Sequence, residues 1–187
     1  MSGPGHNRGP SMEEGASWRK HCWQQARRDL LPSLPLEVVR LRVNRAREIG
    51  LDYRTYATVR ASSGQDIVAF LFSSNALRLF PPKAELPGDR AARLAKILAC
   101  ERIAVLHRPL QCDLVSLPHL EAAIAAPAPF ALWREVRANL RSALRQRRLP
   151  AEGVLLIGDT AEERVWSEAG ALAGYLTAER FFGESPA

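Results

Sequence analysis

Apolar residues follow two rhythms in this chain. Up to about residue 64 they recur every three or four positions, and from Asp66 onward they bunch into short unbroken runs separated by polar turns. The first rhythm predicts helices. Trp18, Cys22, Ala26 and Leu30 mark one over residues 17–31, with Ser17 as its N-cap, ended by Leu31-Pro32-Ser33-Leu34-Pro35. Val39, Val43, Ala46 and Ile49 mark a second over residues 36–49, with Gly50 as the glycine that ends it and Leu51 as the apolar contact after it. Asp52 then caps a shorter helix through Tyr53, Tyr56, Ala57 and Arg60, which Ser62-Ser63-Gly64 stops.

The second rhythm predicts buried strands. Ile67–Phe72 is the first, followed by Ser73-Ser74-Asn75 and a short helical stretch over residues 76–79. Asp89 caps a helix carrying Ala91, Leu94, Ala95 and Leu98, and Ile103–Leu106 is the second strand, ending in His107-Arg108-Pro109. A helical region is expected over residues 117–126, and a long helix over residues 130–148 with Trp133, Val136, Leu140 and Leu144 as its core stripe. Val154–Ile157 is the third strand, closing on Gly158-Asp159-Thr160 before a helix that presents Ala161, Val165, Ala169 and Leu172 inward. Residues 173–176 make a fourth, short strand and residues 177–182 a last helical turn.

This alternation predicts an α/β fold: a small, mainly parallel, three- to four-stranded sheet flanked by helices, with an N-terminal helical segment. Residues 1–16 read as a disordered tail. Residues 17–187 read as a single α/β domain, with a helical preface over 17–64 and a sheet-forming part over 65–187.

Composition narrows the class of protein. No apolar run approaches the roughly 20 residues a membrane-spanning helix needs, and Met1–Gly15 is polar and Gly/Pro-rich, without the apolar core of a secretory signal. A cytoplasmic protein without a membrane partner is expected. Cys22, Cys100 and Cys112 stand at wide spacings with no C-x-x-C pair, so reduced thiols are expected and no metal site is assigned. The net charge of +6 invites a polyanion partner. However, only three of the 26 basic residues are lysines, and arginine with abundant alanine is also what a GC-rich genome produces.

Candidate chemistry sits in the turns at the strand ends, because open α/β sheets bind ligands outside their carboxyl ends. Ser73, Ser74 and Asn75 come after the first strand, His107 and Arg108 after the second, Asp159 and Thr160 after the third. Hydroxyls and helix-start N–H groups can hold a phosphate or carboxylate. Arg108 would add a charge-assisted contact, and His107 an acid–base group. Asp159 either offers an oxygen ligand of the kind magnesium prefers or caps the next helix, in a capping box with Glu162. The leading expectation is a small anionic or nucleotide-like ligand at this edge, with catalysis open and no cofactor identified.

Phe70-Leu71-Phe72-Ser73-Ser74-Asn75 resembles the Ser/Thr-bearing strand end of the haloacid dehalogenase-like phosphatases. Leu155-Leu156-Ile157-Gly158-Asp159-Thr160 resembles their Gly-Asp metal-binding turn, with Glu163 near the place of a further metal carboxylate. The resemblance covers about a dozen residues. That family attacks with an aspartate in a D-x-D segment on an earlier strand, and nothing before Ile67 matches it. The resemblance therefore does not imply a working phosphatase. No G-x-S-x-G, P-loop or G-x-G-x-x-G is present either.

An alternative of another class is a nucleic-acid or acidic-partner binding protein. Arg134, Arg137, Arg141, Arg145 and Arg148 fall three or four residues apart and form one stripe on the long helix. The bland reading of the same stripe is a solvated face balanced by residues such as Glu135. A helix-turn-helix over residues 36–79 is disfavoured, because residues 67–77 offer too few polar side chains to read bases.

Overall fold

The computed structural model describes residues 34–81, 85–110 and 117–183. The helix expected over residues 17–31 lies outside them. Met1–Val39 and Arg40–Ala187 form two compact units. Of the first, the described residues 34–39 open helix α1 (Leu36–Glu48).

The second unit carries the sheet. Its elements are α2 (Tyr53–Ser63), β1 (Ala69–Ser73), α3 (Gly88–Leu94), β2 (Glu101–Leu106), β3 (Ala122–Ala125), α4 (Trp133–Gln146), β4 (Val154–Gly158), α5 (Ala161–Gly170), β5 (Gly174–Thr177) and α6 (Ala178–Phe182). The five strands lie in the order β3-β2-β1-β4-β5, and every neighbouring pair is parallel. The α/β class is as expected, with five strands where three to four were read.

The fifth strand is β3. Its Ala-Ala-Ile-Ala sequence has high intrinsic helix propensity, which is why residues 117–126 read as helical. Ladder bonds to β2, from Ile103↔Ala122 to Leu106↔Ala125, override that propensity. Residues 74–78 also form a turn rather than a helix, closed by Leu77 N–H donating to the Ser73 carbonyl at 2.9 Å.

Because side chains alternate along each strand, the sheet has two apolar faces. Phe70, Phe72, Ala104, Leu155 and Ile157 face Ala46, Ile49, Tyr56, Leu94 and Phe181 of the helical layer on one side. Ala69, Leu71, Ile103, Val105 and Leu156 face Val136, Leu140 and Leu144 of α4 and Trp166 of α5 on the other.

Helix ends follow local chemistry. The Asp52 carboxylate accepts from Thr55 N–H at 2.9 Å and caps α2. Gly50 takes a left-handed φ of 72°, and Leu51 N–H reaches back to the Ala46 carbonyl at 2.8 Å, so α1 ends as the Gly50-Leu51 pair predicts.

Three helix readings change. Asp89 sits inside the first turn of α3 rather than at its cap. Trp133, expected in the core stripe of α4, is exposed at the first position of that helix. Helix α5 is rotated by about one residue from the expected face: Glu163, Trp166, Ser167, Ala169 and Gly170 point inward, while Ala161 and Val165 are exposed. Burying the indole of Trp166 removes more apolar area from water than burying Val165 does.

Candidate functional site

The chain steps outward from β1 through β2 to β3, then returns to β4 on the opposite side of β1. The connections leaving the carboxyl ends of β1 and β4 therefore diverge. Helix α3, which comes after β1, contributes Leu94 to one apolar face, and α5, which comes after β4, contributes Trp166 to the other. Such a switch point is where open α/β sheets bind their ligands. Ser73-Ser74-Asn75 and Gly158-Asp159-Thr160 stand at its two sides. The two segments that resemble phosphatase motifs are thus direct neighbours, paired from Ala69↔Val154 to Phe72↔Ile157.

One buried carboxylate ties these turns together. Glu163 Oε2 accepts the backbone N–H of Asp159 at 2.6 Å and of Thr160 at 2.9 Å, and its Oε1 accepts from Asn75 Nδ2 at 2.9 Å. The Thr160 hydroxyl accepts from Glu163 N–H at 3.2 Å, which completes a capping box. The box is set one residue later than the Asp159/Glu162 reading, because Thr160 and not Asp159 occupies the N-cap. Gly158 is required by this close approach: a Cβ there would lie 2.7 Å from Glu163 Oε2 and 2.9 Å from Tyr175 Cε2.

His107 joins the same network from β2. Its Nδ1 lies 2.6 Å from Ser74 Oγ, its Nε2 lies 3.6 Å from Glu163 Oε1, and its ring stacks on Trp166 at 5.0 Å. The Ser73 hydroxyl accepts from Ala76 N–H at 3.0 Å. Ser73, Ser74, Asn75, His107 and Thr160 therefore direct their polar groups at one another, at Glu163 or at nearby backbone. Ser73, Ser74 and Glu163 are buried, whereas the His107 side chain stays 28% exposed. Asp159 and Arg108 are exposed, and Arg108 precedes a cis proline.

The residue that sequence reasoning missed is Arg90. It lies in the first turn of α3, only 2% exposed, and its Nε and Nη1 have no hydrogen-bond partner among the described residues. The guanidinium stacks over the Phe182 ring at 4.0 Å and lies 3.6 Å from the Asp89 carboxylate. Burial holds its pKa below the usual arginine value and the charge of Arg78 adds to this, while Asp89 and Asp159 oppose it. Nothing in the spacing of Gly88-Asp89-Arg90 marks that arginine as the buried one. Glu163 carried a signal, since Thr160-x-x-Glu163 is a capping-box spacing, but the sequence reading set the box one residue earlier, at Asp159 and Glu162.

Among the described residues, no group of three His, Cys, Asp or Glu side chains comes together to hold a metal ion. The arginine stripe lies apart, on α4. Arg141 is engaged there by the Gly170 carbonyl at 3.0 Å and by Glu152 at 3.4 Å. Arg134, Arg137 and Arg145 are exposed, and Arg148 lies beyond the helix end at a left-handed φ of 58°. No family model matches the chain, nor does any curated protein or solved structure compared with it. No helix among the described residues is long and apolar enough to cross a membrane.

Proposed function

We propose that the edge at the carboxyl ends of β1 and β4 binds a small anionic ligand carrying a phosphate or carboxylate. The observation that carries this reading is that the buried Nε and Nη1 of Arg90 have no hydrogen-bond partner among the described residues, the Asp89 carboxylate lying 3.6 Å from Nε. A buried polar group without a partner costs roughly 1–3 kcal/mol, and more when charged. An anion accepting from either nitrogen would reduce that cost through a charge-assisted hydrogen bond. Arg78 would add a second positive charge, and Asp159 would disfavour any anion reaching too far toward β4. His107, held by Ser74 and backed by Trp166, would fix the Ser74 turn beside the ligand. Arg108, which is exposed, would steer the ligand rather than seat it.

The reading is one of binding. The polar groups that could act as nucleophiles, Ser73 and Ser74, are buried and already bonded. Thermal melts with inorganic phosphate and with a nucleoside monophosphate test it. A rise in melting temperature is expected for the native chain and its absence in Arg90→Met, which keeps an apolar stem against Phe182. Equal anion stabilisation in both proteins would overturn the reading, as would none in either.

A further inference from the structure

The segment leading into α4 leaves three large apolar side chains in solvent: Phe130 is 99% exposed, Trp133 is 51% exposed, and Leu132 between them is also exposed. Phe130 takes a left-handed φ of 58°, which turns its ring outward instead of toward the core. A contiguous exposed patch of this kind marks an interaction surface. Beyond it, α4 has Arg134, Arg137 and Arg145 exposed, with no side-chain partner among the described residues. The one carboxylate within α4 does not balance them, because Glu135 Oε2 is turned back to accept the Leu132 N–H at 3.1 Å.

We infer that this surface binds single-stranded nucleic acid, with the rings of Trp133 and Phe130 stacking on bases and the arginines following the backbone. Sequence-tolerant binders of single strands combine these two elements, a basic track and aromatic platforms beside it. The length of the track selects this partner. Arg145 lies eleven residues beyond Arg134, about 16 Å further along the helix. An anionic membrane would take the apolar tip and leave Arg145 outside its contact, whereas a linear polyanion engages the tip and the whole row. The inference does not rest on the carboxyl-edge reading, since none of these residues belongs to that network.

The test is fluorescence anisotropy of a labelled oligo-dT of about 15 nucleotides with the full chain. Three phosphate contacts predict that affinity falls roughly 20-fold between about 50 and about 200 mM salt. Arg134→Glu, Arg137→Glu and Arg145→Glu together should weaken binding at least tenfold and flatten that dependence. Trp133→Ala and Phe130→Ala should each weaken it several-fold with the salt slope kept. All these positions are exposed, and circular dichroism confirms folding of each variant. Arg54→Glu, a single charge reversal on α2, serves as the control. Any of three outcomes overturns the proposal: no binding at the lower salt; weakening by Arg54→Glu as large as that expected of the α4 reversals; or Trp133-dependent binding to phosphatidylserine vesicles with none to oligo-dT.

Discussion

Asn75 and Glu163, 88 positions apart in the chain, are joined by a 2.9 Å hydrogen bond from the amide Nδ2 to the buried Oε1. The bond links the turn after β1 to the first turn of α5. Glu163 is a negative charge without solvent, and three N–H donors offset the cost of burying it. Glu163→Gln keeps the shape but puts an NH₂ group where an acceptor stood, opposed to at least one of those donors. The expected loss is about 2–3 kcal/mol of unfolding free energy. Urea unfolding of the two proteins measures it, and a difference within about 0.5 kcal/mol, as for an ordinary surface change, would refute the role given to this carboxylate.

Gly158 stands under the same carboxylate. Its φ is not the constraint; the space is, since a methyl group would press on Glu163 Oε2 and the Tyr175 ring at once. Gly158→Ala should therefore cost about 1–3 kcal/mol and perturb the α5 cap. Gly64 is the comparison, because a Cβ there meets nothing within 4 Å and only its φ of 72° is strained. If crowding governs, protection of the Asp159 and Thr160 amides from hydrogen exchange should fall in Gly158→Ala and be kept in Gly64→Ala.

These two residues show why the fold was more legible than the site. Strands such as Phe70–Phe72 and Leu155–Ile157 announce themselves because a parallel sheet covered on both faces needs unbroken apolar runs. The Asp52 cap and Gly50 are local chemistry, readable within a few residues. Strand β3 was hidden because its alanines favour a helix and only pairing with β2 makes them a strand. The convergence of Ser74, Asn75, His107 and Glu163 depends on strand order, which no local pattern encodes. Arg90 is harder still. Whether one arginine among many is buried depends on where Phe182, at the far end of the chain, comes to rest.

Acid should loosen the packing of α1 and α2 onto β1 through Asp66. Burial alone would raise the Asp66 carboxyl, but the Tyr56 hydroxyl at 2.7 Å, the Arg45 guanidinium and the Ile67 N–H outweigh it and hold it below the usual carboxylate value. The Thr55 hydroxyl and N–H lower Asp52 in the same direction. A carboxylate whose folded pKa is depressed stabilises the fold above its unfolded value, near 4, and that stability is lost as pH falls through the folded value. Melting temperature should stay level from neutral pH to about 5 and then drop toward about pH 3. Asp66→Asn should shrink the drop. A pH profile identical to the native one would show that Asp66 does not contribute.

Cys100 should be chemically silent. Burial pushes its thiol up to about 12. At about pH 8 that leaves about one thiolate in ten thousand, and the thiolate is the reactive form. In a Cys22→Ser/Cys112→Ser chain, Ellman's reagent should find no thiol under native conditions and one in denaturant. Stoichiometric reaction of the native protein within minutes would contradict the buried placement.

Removing the charge that the proposed site depends on should make the unliganded protein more stable. Arg90, at 2% exposure, carries two nitrogens without a hydrogen bond among the described residues, which offer the Phe182 ring and the Asp89 carboxylate at 3.6 Å in compensation. Methionine occupies similar space, keeps contact with the ring and abolishes the desolvated charge. Replacing a poorly satisfied buried ion by an apolar side chain of similar volume is commonly stabilising by about 1–4 kcal/mol. Arg90→Met should therefore unfold at higher urea concentration than the native chain when no anion is present. Saturating phosphate should narrow the gap or reverse it, since only the native site gains from the ligand. A variant less stable than the native chain in anion-free buffer would mean that the guanidinium is a structural partner, and would remove the reason to place a ligand there.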